Sequence, residues 1–170
     1  TETLDPRSDV YFVDSKNGWC VGNNNTIIIS DLGEIVYTIL HTNDAGETWK
    51  RQKNSSTNKS INGVYFVDLR NGWVVGQGGR ISHTNNGGKT WVDQKNCLEK
   101  QLNNVCFVDL QNGWVAGVDG TILHTTDGGK IWAPQMSGTT EYLGGIDFID
   151  SNNGWVTGSN GTILHTTDGG

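Results

Sequence analysis

Apolar residues come in short runs along this chain, each closed by Asn, Gly, Asp or Thr, with no helical segment between them. In one stretch the runs are Asn104–Asp109 (NVCFVD), Trp114–Val118 (WVAGV), Thr121–Thr125 (TILHT) and Lys130–Ala133 (KIWA), and each predicts a β-strand. The first two join through Gln111-Asn112-Gly113, where Asn-Gly is expected to supply the positive φ of a tight hairpin. The last two join through Asp127-Gly128-Gly129, where two glycines relax the backbone. Apolar residues at successive positions, as in VCFV, suit strands covered on both faces rather than a half-exposed sheet.

The pattern repeats. NGW begins at Asn17, Asn71, Asn112 and Asn153, and HT at His41, His83, His124 and His165; the last two NGW steps are both 41 residues, the first 54. From Asn to His the distance is 12 in three units and 24 in the first, so unit 1 carries an insertion of 12 residues within NNNTIIISDLGEIVYT. The unit reads V-x-F-V-D, x-x-NGW, V-x-G, G-x-I-x-HT, x-D-G-G-x-T-W. Four strands in about 41 residues, repeated without helices, predict an all-β, propeller-type array of four-stranded antiparallel blades. A solenoid fits less well, because its coils hold one or two strands each. The blades are expected at about 10–53, 62–95, 104–136 and 145–170, the last incomplete. The third strand of unit 4, Thr162–Thr166, is then left with an open edge and an empty Trp slot. This suggests a piece of a longer propeller or a subunit completed by partners.

Composition narrows the class further. Seven Trp among 170 residues, all on the repeat, exclude a disordered chain, and 24 Gly disfavour a helical one. The longest apolar run, around Ile27, Ile28 and Ile29, cannot span a bilayer, so no membrane span is expected. The chain opens at Thr1 without a signal peptide and reads as a mature product or an excised piece. Net charge is −6, and Arg7, Arg51, Arg70 and Arg80 are scattered, which argues against nucleic acid as a partner. Three cysteines constrain the compartment weakly; a Cys97–Cys106 bridge is left open. Asn24, Asn54, Asn58 and Asn160 are glycosylation sequons only if the source is a eukaryotic secretory protein.

Candidate chemistry is sparse. Asp44, Asp127 and Asp168 precede a glycine turn, where a short carboxylate accepts backbone N–H groups; Asn86 offers the same acceptor uncharged. Thr48 and Thr90 add a hydroxyl, and Trp49, Trp91 and Trp132 are expected to pack between blades. The four repeat histidines occupy equivalent positions in separate blades and should not converge on one metal ion. Asp14, Asp68, Asp109 and Asp150 either cap their own turns or ring a channel and hold a cation; capping is the expectation. The five glutamates, Glu2, Glu34, Glu47, Glu99 and Glu141, form no visible acid–base pair. No GxGxxG, P-loop, nucleophile elbow or C-x-x-C occurs, and no cofactor is expected.

The segments HTNDAGETW (41–49), HTNNGGKTW (83–91) and HTTDGGKIW (124–132) resemble the Asp-box, S/T-x-D-x-G-x-T-W, of bacterial neuraminidases, sortilin and some glucanases. Asn86 and Ile131 depart from that pattern. With the preceding F-V-D…NGW-V-x-G element, Val10 to Gly170 resemble the repeat of photosystem II assembly/stability factor-like propellers, many of them in secreted bacterial proteins. The resemblance implies a non-enzymatic scaffold with protein partners, in an extracellular, periplasmic or lumenal setting, or self-association through open blade edges. A glycan-binding module and a fragment of an Asp-box glycoside hydrolase are the alternatives. A sialidase needs an Arg cluster that the scattered arginines do not offer. Partner contacts are expected first at the insertion Asn23–Tyr37, with Ile27, Ile28 and Ile29, and at the connection Asn54–Asn62. The insertion reads equally well as a hairpin packed on its own blade.

Overall fold

The computed structural model describes residues 9–22, 38–52 and 59–170. They form an array of four antiparallel sheets. The first contains β1 (Asp9–Phe12), β2 (Gly18–Gly22), β3 (Thr38–Thr42) and β4 (Lys50–Gln52) in that spatial order. The second contains β5 (Ile61–Phe66), β6 (Gly72–Gly76), β7 (Ile81–Thr84) and β8 (Val92–Gln94). The third contains β9 (Leu102–Phe107), β10 (Gly113–Gly117), β11 (Ile122–Thr125) and β12 (Ala133–Gln135). The fourth holds β13 (Leu143–Phe148), β14 (Gly154–Gly158) and β15 (Ile163–Thr166). Among the described residues the only helical segments are the single 3-10 turns Gln77–Gly79 and Ser159–Gly161, and no helix is long and apolar enough to cross a membrane. The innermost strands pack in sequence, β1 on β5, β5 on β9 and β9 on β13.

Every core lies between two consecutive sheets. Trp19, Val21 and Ile39 of the first sheet meet Ile61, Val64, Phe66, Val74 and Trp91 of the second. The equivalent sets join the second sheet to the third and the third to the fourth. The centre of each joint is a stack. Trp19 lies on Phe66 with ring centroids 3.5 Å apart, Trp73 on Phe107 at 3.6 Å, and Trp114 on Phe148 at 3.7 Å. A histidine of the same sheet covers the other face of each Trp: His41, His83 and His124 at 4.7, 4.5 and 4.5 Å. The second Trp of each unit then meets the Phe edge-on, Trp91 on Phe66 and Trp132 on Phe107 at 5.9 Å. Such aromatic pairs contribute roughly 0.5–1.5 kcal/mol each beyond the area they bury.

Two expectations about local structure change. The glycine of NGW is not a positive-φ residue; Gly18, Gly72, Gly113 and Gly154 are absent from the left-handed region and begin their strands. Glycine is needed there because the Phe ring lies flat over it. A Cβ on Gly113 would sit 2.3 Å from Phe107 Cε1, and one on Gly72 2.5 Å from Phe66. The turn is instead closed by Asp109, whose Oδ1 accepts the N–H groups of Gln111 and Asn112 at 2.7 Å. The fourth strand also falls later than expected, at Ala133–Gln135 rather than Lys130–Ala133. The preceding loop runs to Ile131, whose N–H donates to Asp127 Oδ1 at 3.0 Å, so Trp132 ends the loop instead of pairing in the strand. Gly128 and Gly129 do take positive φ, 74° and 86°.

Candidate functional site

The turn residues after each HT dipeptide are consumed by their own loop. Asp44 Oδ1 accepts from Thr42 Oγ1 at 2.6 Å and from the Thr48 N–H at 2.9 Å, while Oδ2 accepts the Thr48 hydroxyl. Hydroxyls from Thr42 and Thr48 hold its carboxyl down at about 2. In the second unit Asn86 Oδ1 accepts the Thr90 N–H at 3.0 Å, and its Nδ2 donates to Thr90 Oγ1 at 2.8 Å. Asp127 and Asp168 accept from Thr125 and Thr166, both at 2.8 Å. Trp91 and Trp132 are buried against Phe66 and Phe107, and Trp49 lies half-buried with Phe12 edge-on at 6.0 Å. A carboxylate held this way is a poor proton donor or shuttle at neutral pH.

The other acidic set is equally occupied. Asp14 Oδ1 accepts N–H groups from Lys16 and Asn17 at 2.7 Å, and Asp150 those of Asn152 and Asn153 at 2.8 Å. Those bonds hold both carboxyls below the usual range. The four histidines each stack on a different Trp, and no group of three His, Cys, Asp or Glu converges among the described residues. Cys20, Cys97 and Cys106 are all free, so the Cys97–Cys106 bridge does not form. Cys106 is buried in the third joint, where burial pushes its thiol up to about 12, whereas Cys97 is exposed.

Ile27, Ile28 and Ile29 lie outside the described residues, as does the 54–58 part of the second expected partner segment. Its last residues belong to the core instead: Ile61 is buried in β5, and Asn62 Nδ2 donates to the Leu102 carbonyl at 2.8 Å. Asn103 repeats that tie to Leu143 at 2.8 Å. A second inter-sheet tie comes from Gln52 and Gln94, whose Nε2 donate to Gly87 and Gly128 at 2.7 and 2.9 Å. Sequence reasoning missed these residues, and the Phe that covers each NGW glycine, although all recur in phase with the markers.

Two clefts remain. One, of about 390 Å³, lies beside Phe148, Gly154, Val156 and Leu164 at the outer edge of the fourth sheet, the place that Trp132 fills beside Phe107 in the third. The other, of about 530 Å³, opens between the first two sheets over Trp19 and His41. Its rim carries Lys50, Arg70, Lys89 and the exposed Leu69, with no carboxylate among the described lining residues. Lys50 and Arg70 are replaced by Val92 and Gln111 at the next joint, so this cationic rim is not a feature of the repeat.

The model of the photosynthesis system II assembly factor YCF48 family matches residues 2–100, 51–138 and 92–170, in overlapping copies that cover almost the whole chain. The chain belongs to the YCF48 family. Among solved structures it is similar to YCF48 from Cyanidioschyzon merolae, with 20% identity and a TM-score of 0.70 over 94% of this chain and 49% of that one. A YCF48 bound to D1 peptide is 18% identical, with a TM-score of 0.59 over 95% of this chain and 77% of that one. An ancestral GH74 enzyme is 17% identical, with a TM-score of 0.68 over 99% of this chain and 24% of that one. The chain thus spans about half of one YCF48 relative and a quarter of the GH74 enzyme. No curated protein matches it. The YCF48 likeness extends to the propeller fold; at these identities the GH74 likeness is one of fold alone.

Proposed function

We propose that this chain is a non-enzymatic propeller scaffold that binds an extended, acidic segment of a partner protein in the cleft between its first and second sheets. The observation that carries this reading is the rim of Lys50, Arg70 and Lys89 around about 530 Å³, with no carboxylate among its described residues, on a chain of net charge −6. Leu69 beside them offers an apolar contact, half exposed at 51%. Family membership supports a role in assembling other proteins, and the YCF48 relative bound to D1 peptide supports a peptide as the ligand class. Against hydrolysis, the repeat carboxylates are engaged in their own turns, and glycoside hydrolysis needs two that face a shared substrate. Five of the seven Trp are buried in packing, which leaves little aromatic surface for sugar stacking.

The test is fluorescence anisotropy with a labelled peptide of alternating acidic and apolar residues, against a Gln/Asn version of the same length. The acidic peptide should bind more tightly, lose affinity as salt rises, and lose roughly tenfold on combined Arg70→Glu and Lys89→Glu substitution. Equal binding of both peptides, or an unaltered double variant, would refute the reading.

A further inference from the structure

The cleft between the first and second sheets has a counterpart between the second and third. His83 pairs with Val92 in register as His41 pairs with Lys50. Gln94 reaches Gly128 as Gln52 reaches Gly87. The Gly128 N–H donates to the Gln111 carbonyl at 3.0 Å, as that of Gly87 donates to Arg70 at 2.9 Å. The two rims are built alike and carry different side chains. Lys50 and Arg70 border the first, whereas Val92 and Gln111 hold those places at the second. Val92 is 66% exposed, and Leu110, the counterpart of Leu69, 50%. At the third joint the three places fall to Ala133, Ser151 and Asn152, so neither the cations nor the bulky apolar groups continue.

Both departures from the Asp-box pattern follow this change of character. Asn86 lines the first cleft where the next unit has Asp127, so an amide takes the place of a carboxylate beside the cations. Ile131 stands where Thr90 bonds Asn86 in the preceding unit; it forgoes that hydrogen bond and leaves an apolar side chain 69% exposed. It comes one residue before Trp132, which is buried in the second joint.

We propose that the two rims form one recognition strip, on which the partner segment lies extended with its acidic residues grouped at the first joint and its apolar residues grouped at the second. The proposal rests on the acidic-segment reading of the first cleft and specifies the pattern of that segment. Stacked sheets lie about 10 Å apart and an extended chain advances about 3.3 Å per residue, so the centres of the two groups stand about three residues apart. The cations attract and seat the acidic group, and Val92 and Leu110 then lose water against the apolar one. A segment acidic throughout would set carboxylates over Val92 and Leu110, where the cation Lys130 shares its loop with Asp127. The strip therefore selects for the grouping of residues as well as for charge.

The test compares labelled peptides of equal composition in fluorescence anisotropy: Glu and Leu in alternation, grouped with Glu first, and grouped with Leu first. One grouped order should bind about tenfold more tightly than the alternating peptide, the gain from covering two half-exposed aliphatic side chains. Val92→Ser with Leu110→Ser should bring that ratio close to one. Val92→Lys with Gln111→Arg, which copies the first rim onto the second, should make an all-Glu peptide the tightest ligand. An unchanged urea midpoint shows that each variant is folded. An alternating peptide that binds as tightly as both grouped ones, or an advantage that survives the serine variant, would overturn the strip and leave the first cleft standing. No binding by any of the peptides would overturn the cleft reading and the strip with it.

Discussion

Phe107 and Gly113 form a pair whose coupling can be measured directly. The Phe107 ring lies over Gly113, under Trp73 at 3.6 Å and beside Trp132 at 5.9 Å. Replacing Phe107 with Ala removes a fully buried ring and both aromatic contacts, a loss of about 3–5 kcal/mol. Gly113→Ala adds only a methyl group, but places it 2.3 Å from the ring, which cannot retreat because Trp73 covers its other face. Overpacking of that kind costs about 1–3 kcal/mol. In the Phe107→Ala background the obstacle is gone, and the same methyl group should be neutral or slightly stabilising, by up to about 1 kcal/mol through the unfolded chain. The double-mutant cycle should therefore show a coupling of about 1–4 kcal/mol, the double variant being more stable than the sum of the singles. Urea unfolding followed by Trp fluorescence gives the four stabilities. Additive effects would refute the claim that NGW requires glycine for the ring and would return the explanation to the turn.

Other expectations concern charge. Asp44 is held at about 2 against 3.8 for a free carboxyl, so its contribution to stability is complete above about pH 4 and lost as pH falls through about 2. Asp44→Asn, which installs the residue found at position 86, should fold normally and reduce the loss of urea midpoint across that window; an unchanged acid profile would count against it. Just before β7 Arg80 is buried with Nη1 and Nη2 unpartnered among the described residues, its Nε donating to Ser82 Oγ at 3.2 Å. The third sheet has Thr121 and Leu123 there, so Arg80→Thr with Ser82→Leu should stabilise by about 1–4 kcal/mol, and a lower urea midpoint would show that the buried cation has a partner worth keeping.

The sheets were legible because their boundaries are written as turns: NGW and HT recur at fixed spacing, and four strands per unit admit few architectures. What joins the sheets was harder to see. Phe66 contacts Gly72 within its own unit but stacks on Trp19 from the one before, and no local pattern announces a partner 47 residues away. The same is true of Gln52 and Asn62, whose acceptors are backbone carbonyls in the next unit and leave no mark on composition. Asn-Gly was misread because its common use in hairpins matched the sequence, while steric contact with a ring decided the residue. The cationic cleft was missed for a related reason: Lys50, Arg70 and Lys89 are far apart in sequence and converge only when two sheets face each other.

The His–Trp–Phe stack sets a distinction between the unit that is inherited and the unit that is packed. A duplication copies about 41 residues, from one first strand to the next. Each stack instead takes its His and Trp from one copy and its Phe from the following one, so the packed module is offset from the copied one by half a repeat. Inserting or deleting a whole internal copy leaves the Trp of each sheet that has a following sheet with a Phe to meet. Such a lineage can change its number of blades by gene-level slippage without inventing a new contact, and substitutions that drift in concert should link the middle of one repeat to the start of the next.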